Sequence, residues 1–228
     1  MRDPATGRSR EETRYAKFDN VDVRFLGVFE TVPSMGDPYS GINPGYDVRV
    51  DPKFVKHGSH AMGTDEFRRA FSPFSFKPTL DSVLPDNLTE QWFRGAHSDL
   101  GGGHAPGEEG KSNGLARDSL RWMYVMAKKA GVPLRDLVGD NSTAPVLQDL
   151  GDQEIQDKLV HDSRQGTTGF IDKWIDRQSR TIFYPEGGRE TLTREEMVSR
   201  MHAQEQGKAA VIKEDDNRLI LEPIEERP

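Results

Sequence analysis

Cysteine is absent from the 228 residues. No disulfide can form, zinc or iron–sulfur sites built on thiolates are excluded, and redox chemistry says nothing about the compartment. Apolar residues are scarce as well, at 34% with a mean hydropathy of -0.75, so the chain has a polar surface and little core in reserve. The longest apolar block, "VRFLGVF", falls far short of the roughly 20 residues that a membrane-spanning helix needs. No transmembrane segment is expected. The N-terminal "MRDPATGRSREETRYAKFDN" is charged and has no apolar h-region, which argues against a signal peptide. An excess of positive charge is also missing. With a net charge of -7 and a pI near 5.4, nothing electrostatic favours nucleic acid, and a tight electrostatic grip on anionic membranes is disfavoured.

What is present suits one good-sized domain with charged ends. Residues 1–20 read as a loosely held arm, residues 21–186 as the domain, and residues 187–228 as a charged extension. "VDVRFLGVFETV" (Val21–Val32) is rich in β-branched and aromatic residues and stops at the turn-rich "PSMGDPYSGINPG", which predicts a strand covered on both faces. "SHAMGTDEFRRAF" places Met62, Phe67, Ala70 and Phe71 at roughly helical spacing, which predicts a helix over Ser59–Phe71. "QWFRGA" (Gln91–Ala96) reads as a second short strand. Asn113 is placed to cap a helix from Gly114 to Ala130, with Leu115, Leu120, Trp122, Met123 and Met126 as its buried stripe and "GVP" as its stop. A further helix is expected near Thr193–Glu205 and a short strand in "RLILEPI". Strand, helix, strand, helix is the order of an α/β fold.

The chemistry concentrates in "EQWFRGAHSDLGGGH" (Glu90–His104). His97 follows one predicted strand and Glu30 ends the other. In open α/β sheets the carboxyl ends of strands are where side chains converge on substrate. An imidazole and a carboxylate delivered there make a general base and its orienting acid. The plainer alternative makes Glu30 a solvated turn residue and His97 a helix-capping side chain. A metal reading draws on His97, Asp99 and His104, with Glu108 or the His57/His60 pair, but the spacing matches no strong metal motif. Neither a metal nor a cofactor is assigned. "HDS" at His161–Ser163 names three triad residue types, yet sequence neighbours do not aim at one another, so a polar turn is the simpler reading. The glycine run lacks the spacing and the lysine of a phosphate loop. A G-x-S-x-G nucleophile would need a strand before it and an apolar helix after it, and the echo "GRSRE" around Ser9 has neither.

Five segments, "RFLGVFETVPSMG", "NPGYDVRV", "HAMGTDEFRRAF", "QWFRGAHSDLGGGH" and "LARDSLRWMYVMAKKAGVPL", followed by "HDS" and "RTIFYP", resemble in that order the phospholipase-like α/β-hydrolase effectors of type VI secretion. The resemblance runs from about Val21 to Pro185, and the H-S-D-x-G-G-G element carries most of its specificity. It implies a partial α/β-hydrolase-like sheet with flanking helices, and a serine hydrolase of membrane phospholipids delivered into rival bacteria. His97 then stands as the base and Glu30 as the orienting acid, where the family usually has aspartate. The family's nucleophile segment lies well upstream of the acid and has no counterpart here, so the chain is expected to correspond to the C-terminal part of the catalytic domain and to be inactive alone. The implied partners are a phospholipid substrate, a secretion-apparatus component and an immunity protein. The implied locations are the producing cell's cytoplasm and, after secretion, the target's periplasm. A non-enzymatic decoy or binding protein on a hydrolase remnant and a metal-dependent hydrolase are the competing readings. A strand left without its neighbours would present an open edge, which invites aggregation.

Overall fold

A computed structural model describes residues 21–32, 48–104, 113–135, 160–161, 179–206, 212–215 and 218–221. Its centre is a parallel sheet of β1 (Leu26–Phe29), β2 (Gly58–Gly63) and β3 (Leu88–Phe93), in the spatial order β1-β2-β3. Leu26 pairs with Gly58, and Gly58 with Leu88, so the strands start in register. Parallel strands that start together also finish together. Glu30 leaves β1, Thr64 to Glu66 leave β2, and Arg94 to His97 leave β3 at the same end of the sheet.

Side chains alternate across this sheet as the two-residue period of a strand requires. On one face, Phe25, Phe29, Ala61 and Phe93 pack with Leu100 of α1 (His97–Gly101) and with Trp122 and Met123 of α2 (Ala116–Lys129). The other face has two apolar patches. Leu26, Val28 and Leu88 meet Val55 and Phe76. Met62 and Trp92 meet Ile182, Tyr184, Leu192, Met197 and Met201, supplied by the antiparallel hairpin β4 (Ser179–Phe183) and β5 (Arg189–Thr193) and by α3 (Arg194–Gln206). Burying each side chain of that size contributes about 1.5–3 kcal/mol, so the charged stretch after Gly187 covers Trp92 at a useful gain. A second antiparallel hairpin joins β6 (Ile212–Asp215) to β7 (Arg218–Leu221). The expected α/β class is observed, as a parallel sheet with flanking helices.

β3 is an outer strand of this sheet, and part of its backbone edge is covered. The Gln204 side chain of α3 accepts the Trp92 N–H at 3.0 Å and donates to the Glu90 carbonyl at 3.0 Å. One amide thus does for two backbone groups what a neighbouring strand would do.

Three expectations are corrected. The helix expected over Ser59–Phe71 is instead β2, followed by a single 3-10 turn at Arg69–Phe71. β2 is hydrogen-bonded on both sides and every one of its residues is buried. Such a strand shows no alternation to read, and its polar Ser59 and His60 disguise it further. His60 Nε2 accepts the Thr31 N–H at 3.2 Å, and its Nδ1 lies 3.6 Å from Glu90 Oε1. Asn113 does not cap α2, because its amide clasps the backbone of His104, accepting from its N–H at 3.2 Å and donating to its carbonyl at 2.8 Å. Within the stripe expected for α2, Leu115 and Met123 are buried but Leu120 is 43% exposed. The buried residues of α2 are instead Ser119, Met123, Val125 and Ala127. The Ser119 hydroxyl donates to the Leu100 carbonyl at 2.9 Å.

Gly63, the last residue of β2, is a glycine for want of space. A Cβ there would lie 2.5 Å from the Gly95 carbonyl oxygen and 3.3 Å from Glu30 Oε1. Gly101 has nothing within 4 Å of the same position. Gly63→Ala should therefore destabilise by about 1–3 kcal/mol, the usual cost of overpacking, and Gly101→Ala by less than about 0.5 kcal/mol. Urea unfolding of the two variants checks this, and equal midpoints would contradict the close approach.

Candidate active site

The site is built where the three parallel strands end. Glu30 is fully buried there and has a φ of 47°, in the left-handed region that a non-glycine residue occupies only at a cost of about 1–3 kcal/mol. Its carboxylate is held from several sides. The Gly63 N–H donates to Oε1 in a short bond. Arg180 of β4 grips both oxygens, with Nη1 at 2.9 Å from Oε1 and Nη2 at 2.5 Å from Oε2. The same guanidinium donates at 2.7 Å to the carbonyl of Gly63 and at 2.7 Å to that of Phe71. Glu30 is not the solvated turn residue of the plainer sequence reading.

His97 opens α1. Its backbone N–H donates to Glu66 Oε2 at 3.2 Å, its ring meets the edge of Phe71 at 5.1 Å, and its Nδ1 lies 4.0 Å from Glu30 Oε2. The fold thus brings together the two residues expected to act as acid and base, at slightly more than hydrogen-bond distance. The capping role that the alternative reading gave His97 belongs to Asp99, whose Oδ2 accepts the Ala96 N–H at 2.8 Å. Burial lowers the pKa of the His97 imidazole from its ordinary value. Glu30 and Glu66 pull it upward, Arg180 and Arg68 push it down, and the net shift is downward. Near neutral pH the ring is therefore the uncharged form that accepts a proton.

Two further buried acids frame the pair. Asp65 accepts from Arg94 Nε at 3.0 Å, the Gly95 N–H at 2.9 Å and Arg194 Nε at 2.8 Å. Glu66 is bound by Arg68 through Nε at 2.9 Å and Nη2 at 2.7 Å, while that guanidinium stacks 3.6 Å over Phe71. Burial raises both carboxyls, but Arg94, the Gly95 N–H and Arg194 for Asp65, and chiefly Arg68 for Glu66, outweigh it and hold both below the ordinary range.

The metal set read from the sequence is assembled differently. Asp99 and His104 do approach each other, with Nε2 3.7 Å from Oδ1, but the third partner is His161, whose Nδ1 meets Asp99 Oδ1 in a short contact. His97 faces Glu30 instead, His60 is enclosed in β2, and His57 offers its carbonyl to the Leu26 N–H at 2.9 Å. Glu108, Ser9 and the Asp162 and Ser163 of "HDS" lie outside the described residues.

Sequence reasoning missed Arg180. One signal for it exists: in "SRTIF" the two-residue period puts Arg180 on the face of Ile182, and both are 2% exposed.

Residues 2–126 match the family model described as "T6SS, Phospholipase effector Tle1-like, catalytic domain". The chain belongs to that family. An uncharacterized protein of Saccharomyces cerevisiae is 46% identical over 54 residues, which make up 24% of this chain and 8% of the yeast protein. Among solved structures, an uncharacterized protein from Pseudomonas aeruginosa is 22% identical with a TM-score of 0.43, over 81% of this chain and 25% of that one. The Tle1 effector bound to the VgrG spike of the type VI secretion system is 16% identical with a TM-score of 0.42, over 76% of this chain and 55% of that one. The chain thus spans between a twelfth and about half of the length of these proteins. Within this Tle1-like chain, Glu30 and His97 fall inside the matched residues, whereas His161 and Arg180 follow them.

Two outcomes follow from this frame. Arg180→Leu leaves Glu30 buried without its counter-charge and should cost about 3–5 kcal/mol, the usual penalty for breaking a buried pair from one side. Adding Glu30→Gln should recover part of that loss, which a urea double-mutant cycle measures. The depressed carboxyls of Asp65 and Glu66 stabilise the fold at pH above their ordinary values of 3.8 and 4.5, and that stabilisation is lost as the pH falls through the lowered ones. Asp65→Asn should accordingly flatten the acid limb of the stability profile, and an unchanged slope would show that its ion pairs contribute nothing.

Proposed function

We propose that this chain supplies the general base, His97, and its orienting acid, Glu30, to a serine hydrolase that cleaves ester bonds of membrane phospholipids. The observation that carries the reading is the juxtaposition itself. A buried carboxylate in a strained backbone conformation lies 4.0 Å from an imidazole kept neutral by burial, at the carboxyl end of a parallel sheet. Membership of the Tle1-like phospholipase family supports the substrate class and delivery by a type VI apparatus.

The nucleophile is proposed to come from polypeptide outside these 228 residues, since the one G-x-S-x-G string here, "GKSNG" at Gly110–Gly114, stands between α1 and α2 and does not follow a strand of the parallel sheet. Nδ1 of His97 faces Glu30, which leaves Nε2 for the serine hydroxyl. The imidazole takes the hydroxyl proton as the serine oxygen adds to the ester carbonyl, then returns it to the departing alcohol. Water, deprotonated by the same nitrogen, releases the fatty acid. Glu30 steadies the imidazolium that forms in each half-reaction. Contacts of this kind often tighten only when substrate is bound, and closing 4.0 Å to a hydrogen bond takes a shift of about 1 Å.

A second reading is favoured by one observation, namely that Arg180 and Gly63 already occupy the Glu30 oxygens. On that reading the chain is a binding or decoy protein that retains the hydrolase frame without its chemistry.

A fluorophosphonate probe and a phospholipid turnover assay, applied to the chain alone and after mixing with a family segment carrying G-x-S-x-G, separate the two. The chain alone should show neither labelling nor turnover, because a base and acid without a nucleophile form no acyl-enzyme. The mixture should show both. His97→Ala should then remove several orders of magnitude of kcat, and Glu30→Gln somewhat less. Hydrolysis by the chain alone that Ser9→Ala or Ser112→Ala abolishes would overturn the assignment, as would a fully active His97 variant. A mixture that assembles yet neither labels nor turns over favours the decoy.

A further inference from the structure

We propose that Asp99, His104 and His161 form a binding site for a divalent transition-metal ion, distinct from the Glu30–His97 pair. Asp99 Oδ1 and one ring nitrogen from each histidine lie within 4.8 Å of one another. Ligands about 2.0–2.2 Å from a tetrahedral ion sit roughly 3.4 Å apart, so these atoms lie near the spacing such an ion needs. Two imidazoles and one carboxylate suit zinc, manganese, iron(II), cobalt or nickel. Magnesium and calcium prefer oxygen alone.

The surroundings are those of a held site. Asp99 is fully buried, and the side chains of His104 and His161 are 10% and 16% exposed. Oδ2 of Asp99 is committed to the backbone N–H groups of Ala96 and His161, at 2.8 and 3.1 Å, which turns Oδ1 toward the two rings. Those rings lie 4.6 Å apart between centroids, tilted by 47° to each other. Asn113 clasps both backbone polar groups of His104 and so fixes where that ligand starts. Hydrogen bonds that orient ligands in this way are the usual outer support of a metal centre.

The three ligands come from α1, from the glycine-rich segment that follows it and from a residue 62 positions further on. An ion shared among them would pin α1, and with it the His97 at its start. No chemical step is assigned to the ion. The site is a structural tie, and it stands or falls independently of the lipase reading.

The test reads metal and not turnover. The native chain is dialysed against a chelator, and then titrated with cobalt(II) and, separately, zinc(II). Absorbance reports cobalt, calorimetry reports zinc, and thermal unfolding is followed with and without each ion. About one ion per chain should bind, the cobalt complex should show the strong visible bands of a low-coordinate nitrogen–oxygen site, and the midpoint of unfolding should rise with ion concentration. His161→Ala and His104→Ala should each abolish the bands and the thermal shift. Asn113→Ala should weaken binding about 10–100-fold while leaving the bands intact. Because Asp99 also braces α1, Asp99→Asn serves only as a supporting variant, and the two histidine variants must unfold cooperatively without metal to be counted. Absence of stoichiometric uptake, or uptake unchanged in both histidine variants, would overturn the site.

Discussion

The ion pair between Glu30 and Arg180 spans 150 positions of the chain, and the other features of the site hang from it. Taking a carboxylate and a guanidinium out of water costs several kcal/mol each, and attraction between them repays that only when their remaining polar atoms are also bonded. Here most of them are: two carbonyls accept from the outer guanidinium nitrogens and the Gly63 N–H donates to the carboxylate, while Arg180 Nε is buried without a partner. The pair ties the end of β1 to a strand that packs over Trp92 from beyond the family's matched segment. It also supplies the determination that an unfavourable φ at Glu30 requires. The carboxylate is presented toward His97 because the backbone is held where it would not otherwise rest.

The same arrangement sets the electrostatics. Acidic residues gather at the carboxyl ends of the strands, and in isolation they would raise the pKa of any histidine among them. Each is answered by arginine: Glu30 by Arg180, Asp65 by Arg94 and Arg194, and Glu66 by Arg68. With the field largely cancelled, burial decides the balance at His97 and the ring stays neutral. The arginines allow a cluster of carboxylates to surround the imidazole without charging it.

Much of this was legible in the sequence wherever a local pattern carried it. β1 and β3 announced themselves as short apolar runs stopped by turns, α2 and α3 as periodic segments, and His97 with Glu30 as polar residues at strand ends. The pattern failed where tertiary structure overrode it. β2 is buried on both faces and contains Ser59 and His60, so neither alternation nor continuous hydrophobicity marks it, while Met62, Phe67, Ala70 and Phe71 happen to fall at helical intervals. The face of α2 was misjudged because it buries the small Ser119 and Ala127 and leaves the larger Leu120 exposed, so size and hydrophobicity do not mark it. The pairings of Arg180 and His161 were out of reach for a simpler reason. Their partners are so distant along the chain that no window of sequence contains both.

The segment "HSDLGGGH" shows how one short stretch serves two neighbourhoods. Residues two apart on a helix point to roughly opposite sides, so the single turn that aims His97 at Glu30 and Phe71 must aim Asp99 the other way, toward His104 and His161. The glycines that follow then do a geometric task. Gly102 ends α1 with a φ of 71°, a conformation that side chains resist, and the chain turns back far enough for His104 to reach the carboxylate five positions before it. What looks in the sequence like one cluster of histidines and an acid is therefore two groups back to back, His97 with Glu30 and Asp99 with His104 and His161. The second group braces the single turn from which His97 faces Glu30.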